Sequence, residues 1–138
     1  MKWMLMSYRR YADFSGRSQR MEYWMFYLLY AIVAIVCLGL IIAEAPNKEL
    51  DPGANGGPIF WLGATVLGLW VLGSIVPSIA VTVRRFHDQD KSGWMYLLTF
   101  VPYVGGLIIF AFMCMEGTRG PNSYGADPKD PHTADIFS

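Results

Sequence analysis

Charge is what this sequence has least of, and its distribution says more than its amount. Only 16% of the 138 residues are charged, against about a quarter in an ordinary soluble domain. Residues 23–43, 59–83 and 94–115 hold no Asp, Glu, Lys or Arg at all. Such gaps exclude a conventional water-facing surface there. They suit lipid, because a charge at mid-span costs about 2.5–3.5 kcal/mol. As α-helices the three stretches are roughly 31, 37 and 33 Å long, enough for a hydrocarbon core of about 30 Å. The same gaps disfavour a proton-coupled pump made from one chain, since such machines place ionisable groups at membrane depth.

Cysteine and histidine are also scarce. Cys37 and Cys114 sit inside apolar runs with no nearby His, Asp or second Cys, which argues against a disulfide framework or a metal site; both read as small packing residues. The only histidines are His87 and His132. Net charge is zero, from 11 basic and 11 acidic residues, so no overall field draws in nucleic acid. No Gly-Lys-Ser/Thr phosphate loop is present, nor the alternating acids of a calcium loop. Neither a cofactor nor a catalytic constellation is expected.

What is there, above all, is apolar: 54% of the residues are hydrophobic. The expected fold is all-α, a helical integral membrane protein with three transmembrane helices at 23–43, 59–83 and 94–115. A short amphipathic interfacial helix precedes them within residues 1–22, with Met4, Tyr8 and Tyr11 on one face and Lys2, Arg9 and Asp13 on the other. The membrane domain extends over 23–128, and 129–138 reads as a flexible tail. The first stretch exceeds the roughly 7–15 apolar residues of a cleavable signal, and Pro46 follows the small-x-small pattern of Ala43 and Ala45, so it reads as a permanent span. Aromatic anchors open each span: Tyr23, Trp24, Phe26 and Tyr27, then Phe60 and Trp61, then Trp94 and Tyr96. Small residues four apart, Gly39 with Ala43, Ala64 with Gly68 and Ser74 with Ser78, offer close helix contacts. Pro77 should bend the second helix, and Pro102 with Gly105 and Gly106 weakens the third.

The positive residues indicate orientation. Lys2, Arg9, Arg10, Arg17 and Arg20 precede the first span, Lys48 lies in the first loop, Arg84, Arg85 and Lys91 in the second, and Arg119 and Lys129 after the third. With three crossings, eight cations share the side of the amino terminus and three the other. The positive-inside rule makes the amino terminus cytoplasmic and the tail external. If the weakened third segment instead re-enters, the tail returns to the cytoplasmic side.

Three polar blocks flank the spans. The first is Gly16, Arg17, Ser18, Gln19, Arg20, Met21, Glu22, Tyr23 and Trp24. The second is Arg84, Arg85, Phe86, His87 and Asp88, followed by Ser92, Gly93 and Trp94. The third runs through Glu116, Gly117, Thr118, Arg119, Gly120, Pro121, Asn122, Ser123, Tyr124, Gly125, Ala126, Asp127 and Pro128. In this order they resemble the small bacterial inner-membrane proteins of the YhaH/YhaI type, grouped as domain of unknown function 805. The resemblance covers roughly residues 14–128 and departs only in details, such as Met25 where a second Trp is usual and a rather long first loop. It implies a helical inner-membrane protein and brings no catalytic activity, substrate or cofactor.

On physical grounds Arg17, Arg20, Arg84 and Arg85 anchor topology and complement the helix carboxyl end. Gathered on one membrane face with Glu22, His87 and Asp88, they are also the candidate basic pocket for a phosphate-bearing lipid headgroup, for which the arginine fork is suited. Asp88 is expected to pair with Arg84 at i, i+4, and Ser92 to cap the third helix. Gly117 and Gly120 should end that helix and turn the chain, with Asn122 bonding locally. The leading functional expectation is a non-enzymatic inner-membrane protein that binds anionic lipid or a membrane-protein partner through its cytoplasmic face. An oligomeric channel or transporter subunit is the alternative, and an embedded hydrolase or transferase using His87 and Asp88 comes third.

Overall fold

The computed structural model describes residues 2–46 and 54–129. The tail from 130 onward and the middle of the first loop, 47–53, lie outside the described residues. Among those described, the elements are α1 (Lys2–Arg9), α2 (Arg20–Ala43), α3 (Pro58–Asp88), a 3-10 helix (Gly93–Phe100) and α4 (Gly105–Cys114). No strand forms among them, so the helical class is as expected.

The chain divides into two compact units, Tyr27–Ile75 on one hand and Met1–Phe26 with Val76–Ser138 on the other. In the first unit the carboxyl half of α2 packs against the amino half of α3. Gly63 makes a close approach: a Cβ there would lie 3.1 Å from the Cys37 carbonyl oxygen and from Leu40 Cβ, close backbone packing of the kind small residues permit in lipid. Glu44 caps α3 from the end of α2, its Oε2 accepting the Ile59 N–H at 2.9 Å. Most of the remaining surface is apolar and open, with Ile35 and Leu69 each 67% exposed.

Length and exposure together define the two long helices. At 24 and 31 residues they are roughly 36 and 46 Å long. Only 11% and 28% of their most apolar windows are buried. A soluble core helix would be covered. These are not, and lipid is the solvent they fit. The last residues of α3, 84–88, project beyond its charge-free stretch.

The second unit corrects the expectation of one continuous third span. Residues 93–114 form two short helices separated by Val101, Pro102, Tyr103 and Val104. The cause is local. Pro102 has no N–H and drives its predecessor out of helical conformation, and Val101 is indeed extended at φ −76°, ψ 114°. Tyr103 then takes φ +63°, and the Val104 N–H turns back to the Pro102 carbonyl at 2.7 Å. Ser92 does cap the 3-10 helix as expected, its Oγ accepting the Trp94 N–H at 3.3 Å. The ten residues of α4 reach only about 15 Å, half of a hydrocarbon core.

The amino-terminal helix forms, but its packed face differs from the simple apolar one. Ser7 is fully buried and points at Glu22, 3.4 Å away. Tyr8 packs on Phe26 with ring centroids 5.3 Å apart, while Tyr11 stays open.

Candidate functional site

The most buried large side chains of the second unit include two arginines. Arg84 and Arg85 are fully buried beside Phe26, Phe86 and Met113, and Arg17, Glu22 and Asp88 are nearly so. A buried charge is tolerated only when paired and hydrogen-bonded, so the partners determine the architecture. Arg17 Nε donates to Asp88 Oδ1 at 3.0 Å, and its two terminal nitrogens reach the carbonyls of Gly120, Thr118 and Asp88. Arg84 Nη2 donates to Glu22 Oε1 at 2.7 Å, and Nη1 reaches the carbonyls of Arg10 and Asp13. Arg85 pairs with the other oxygen of Asp88 and with the Met115 carbonyl. Three guanidiniums thus share two carboxylates, and backbone carbonyl dipoles absorb the excess positive charge.

Helix ends and turns supply these contacts. The Ser18 N–H meets the Arg84 carbonyl at 3.2 Å, and Ser18 Oγ donates to Glu22 Oε2 at 2.6 Å, fixing Glu22 at the first turn of α2. The segment after α4 lies across the end of α3: the Thr118 N–H and hydroxyl both meet the Asp88 carbonyl, at 2.8 and 3.1 Å. Gly117 is required by that approach, since a Cβ would collide with the Asp88 carboxylate and its backbone carbonyl. Asn122 donates to Thr118 Oγ1 and the His87 carbonyl and accepts the Tyr124 N–H. A tight turn closes from Asn122 to Gly125. Gly120, at φ +78°, gives its N–H to Asp127. Gln19 reaches the Pro128 carbonyl.

Residues of all three polar blocks therefore meet in or beside one knot, but the pairings differ from those expected. Asp88 does not take Arg84 at i, i+4; it takes Arg85 at i, i+3 and Arg17 from across the fold, while Arg84 takes Glu22. Arg20 stands outside the buried group, bonded to Glu116 at 2.7 Å and to the Cys114 carbonyl, with its side chain 38% exposed. Tyr23 is buried and meets Trp24 edge to face. Trp24 in turn meets Phe110. Gly16 receives His87, whose Nδ1 is 3.3 Å from its carbonyl oxygen, and Gly93 and Trp94 follow Ser92 beside that ring. Sequence reasoning missed Ser7 and Gln89, and it named Ser18 and Thr118 only as members of the polar blocks, without a role. Ser18 was legible, as a hydroxyl four residues before Glu22 and just ahead of α2; Gln89, which bonds the Phe112 carbonyl, carried no local signal.

The electrostatics follow from these contacts. His87 lies beyond the charge-free stretch of α3; burial lowers its pKa, against the opposing pull of the Gly16 carbonyl. Its ring stacks on Tyr124 at 3.9 Å and 4°, and Asp88 is committed to arginines rather than to it. Burial resists ionisation of Asp13, but bonds from Ser15 and Arg10 hold its carboxyl down at about 2. The N–H of Lys129, with that of Gly120, lowers Asp127 against a small cost of burial. Among the described residues no three His, Cys, Asp or Glu side chains converge as a metal site. Beside the knot lies a cleft of about 320 Å³, lined by Arg17, Arg119 and Lys129 together with Asp88, Glu116 and Asp127.

Two long apolar helices, open to an apolar solvent, with arginine–carboxylate pairs buried where residues 16–22 meet 84–89, define a helical membrane protein. The chain belongs to the family described as Protein of unknown function (DUF805), which matches residues 11–126. It is 39% identical over 132 residues to Inner membrane protein YhaI of Escherichia coli (strain K12), covering 94% of this chain and 97% of that protein. It is 41% identical over 129 residues to Inner membrane protein YhaH of the same organism, covering 94% and 98%. No solved structure matches.

Proposed function

We propose that this is a non-enzymatic inner-membrane protein that holds anionic lipid headgroups at the cytoplasmic rim of its arginine knot. The knot's own arginines are spent internally: Arg17, Arg84 and Arg85 are bound to carboxylates and carbonyls. Among the described residues Arg119 and Lys129 enter no ion pair, and both are exposed at the 320 Å³ cleft. The acids of that cleft are already engaged, Asp88 by two arginines, Glu116 by Arg20, and Asp127 by the N–H groups of Gly120 and Lys129. That arrangement carries the reading: two exposed cations outside any ion pair, beside acids already bonded to other groups, suit a phosphate.

Topology belongs to the same proposal. One side chain, Arg17, binds the end of α3 and the segment after α4. If α2 and α3 each cross once, residues 93–115 enter and leave on one side, and the positive-inside rule makes that side cytoplasmic. The non-enzymatic reading draws support from His87, whose ring stacks on Tyr124 while the neighbouring Asp88 is held by Arg17 and Arg85. In native mass spectrometry the protein should retain anionic over zwitterionic lipid in a salt-sensitive manner. Each rim cation is worth about 1 kcal/mol near an anionic surface, so Arg119→Ala with Lys129→Ala should weaken retention roughly thirty-fold. Unchanged retention in that double variant removes the lipid reading.

A further inference from the structure

The two exposed cations at the 320 Å³ cleft stand on backbone that the knot holds in place. Thr118 and Gly120, on either side of Arg119, both give their carbonyls to Arg17. Pro128, just before Lys129, gives its carbonyl to Gln19. One carboxylate then ties the two stretches together: Asp127 Oδ2 accepts the Gly120 N–H at 2.9 Å, and Oδ1 accepts the Lys129 N–H at 2.9 Å. Arg119 and Lys129 therefore issue from neighbouring stretches of chain into one cleft. Asp127 also attracts Lys129 through space, which keeps the ammonium near the cleft.

The rest of the lining has little to give a ligand. Gly117 has no side chain. The Thr118 hydroxyl donates to the Asp88 carbonyl and accepts from Asn122. Arg17 is buried and turned to Asp88 and the carbonyls. Asp88, Glu116 and Asp127 are acceptors only, and each is bonded to an arginine or to backbone N–H groups. The donors that face a ligand are thus one guanidinium and one ammonium. A guanidinium takes two oxygens of a phosphate with parallel N–H groups, and an ammonium takes one as a point charge. Together they use three oxygens. A phosphodiester has two unesterified oxygens, which the guanidinium alone fills. A phosphomonoester has three, and above its second pKa of about 6 it carries two negative charges.

We infer that the cleft selects a terminal phosphate, a phosphomonoester, over a phosphodiester, with Arg119 on two of its oxygens and Lys129 on the third. The inference narrows the anionic-headgroup reading and rests on it for the lipid source; a water-soluble phosphomonoester offers the same three oxygens.

The test is native mass spectrometry of the purified full-length protein, above the monoester's second pKa, with phosphatidic acid and phosphatidylglycerol of identical chains in competition. Phosphatidic acid should be retained roughly five-fold better, the worth of one more cation near an anionic surface. Lys129→Ala should bring phosphatidic acid down to the level of phosphatidylglycerol, whereas Arg119→Ala should weaken both lipids by a similar factor. Both side chains are exposed and outside the ion pairs, so the fold does not depend on either. Glycerol 3-phosphate and its diester glycerophosphoglycerol separate the sources. Displacement of phosphatidic acid by the monoester alone assigns the site to soluble phosphomonoesters as well, displacement by neither assigns it to the lipid, and equal displacement by both overturns the inference. Equal retention of the two lipids by the wild-type protein overturns it while the headgroup reading stands. So does a preference that survives Lys129→Ala. If no anionic lipid is retained, the headgroup reading fails instead, and the inference then stands only if glycerol 3-phosphate binds the protein and glycerophosphoglycerol does not.

Discussion

The two units are built on opposite rules. In Tyr27–Ile75 most of the exposed residues among those described are apolar: Ile35, Val36, Ile42, Leu69 and Leu72 are all more than half exposed. In the other unit the buried residues include Arg17, Glu22, Arg84, Arg85, Asp88 and Gln89. A water-soluble protein of this size would invert both statements. The difference shows what each solvent demands. In lipid, apolar side chains gain nothing by hiding, and the backbone need only be helical. In the other unit a small apolar core that includes Phe26, Val81, Phe86 and Met113 is joined by charge-assisted bonds from arginine to carboxylate and carbonyl, which share the work of tertiary packing.

That contrast can be broken most sharply in the knot. Arg84→Ala takes the guanidinium from the buried Glu22, which keeps its bonds from Ser7 and Ser18, and breaking a buried pair costs about 3–5 kcal/mol. Unfolding in a mixed-micelle denaturation series should show a loss of that size. A smaller loss, about 1–3 kcal/mol for forced overpacking, is expected from Gly117→Ala, whose new methyl falls on the Asp88 carboxylate. Acid sharpens the comparison next. The pKa of His87 is lowered by burial, so the unfolded chain takes up its proton at a higher pH than the folded one. This contribution is fully present above the free value of about 6.5 and is lost as pH falls from there through the lowered folded value. His87→Phe should flatten that part of a stability profile. At the exposed pair Arg20→Ala should cost no more than about 1 kcal/mol. The smallest effect belongs to the other unit: Leu69→Ala, on an open apolar face, should change stability by less than about 0.5 kcal/mol.

Much of this was legible beforehand, and what was not has physical causes. The first two spans are marked by unbroken absence of charge, a signal that needs no tertiary information. The aromatic and glycine-rich blocks announced where the chain would be organised, and Ser92 was readable as a cap from its place before an apolar run. The third segment was not readable as drawn. Its composition permits a span, and Pro102 and Gly105 were visible weaknesses, but how far the chain bends depends on what waits for residues 116–129 at the far end. The arginine partners were hidden for a related reason. Arg17 and Asp88 are 71 residues apart and Glu22 and Arg84 62, and no local rule shows that a distant carboxylate outcompetes the one four residues away.

The proposed topology requires the segment after α4 to return to the side from which residues 93–115 set out. Cysteine placed at Ser123, in a chain with Cys37→Ser and Cys114→Ser, can be probed with a membrane-impermeant maleimide in right-side-out and inverted vesicles, beside Ser15→Cys as reference. Both positions should label only in inverted vesicles. Labelling of Ser123→Cys in right-side-out vesicles, with Ser15→Cys labelled only in inverted ones, would contradict it.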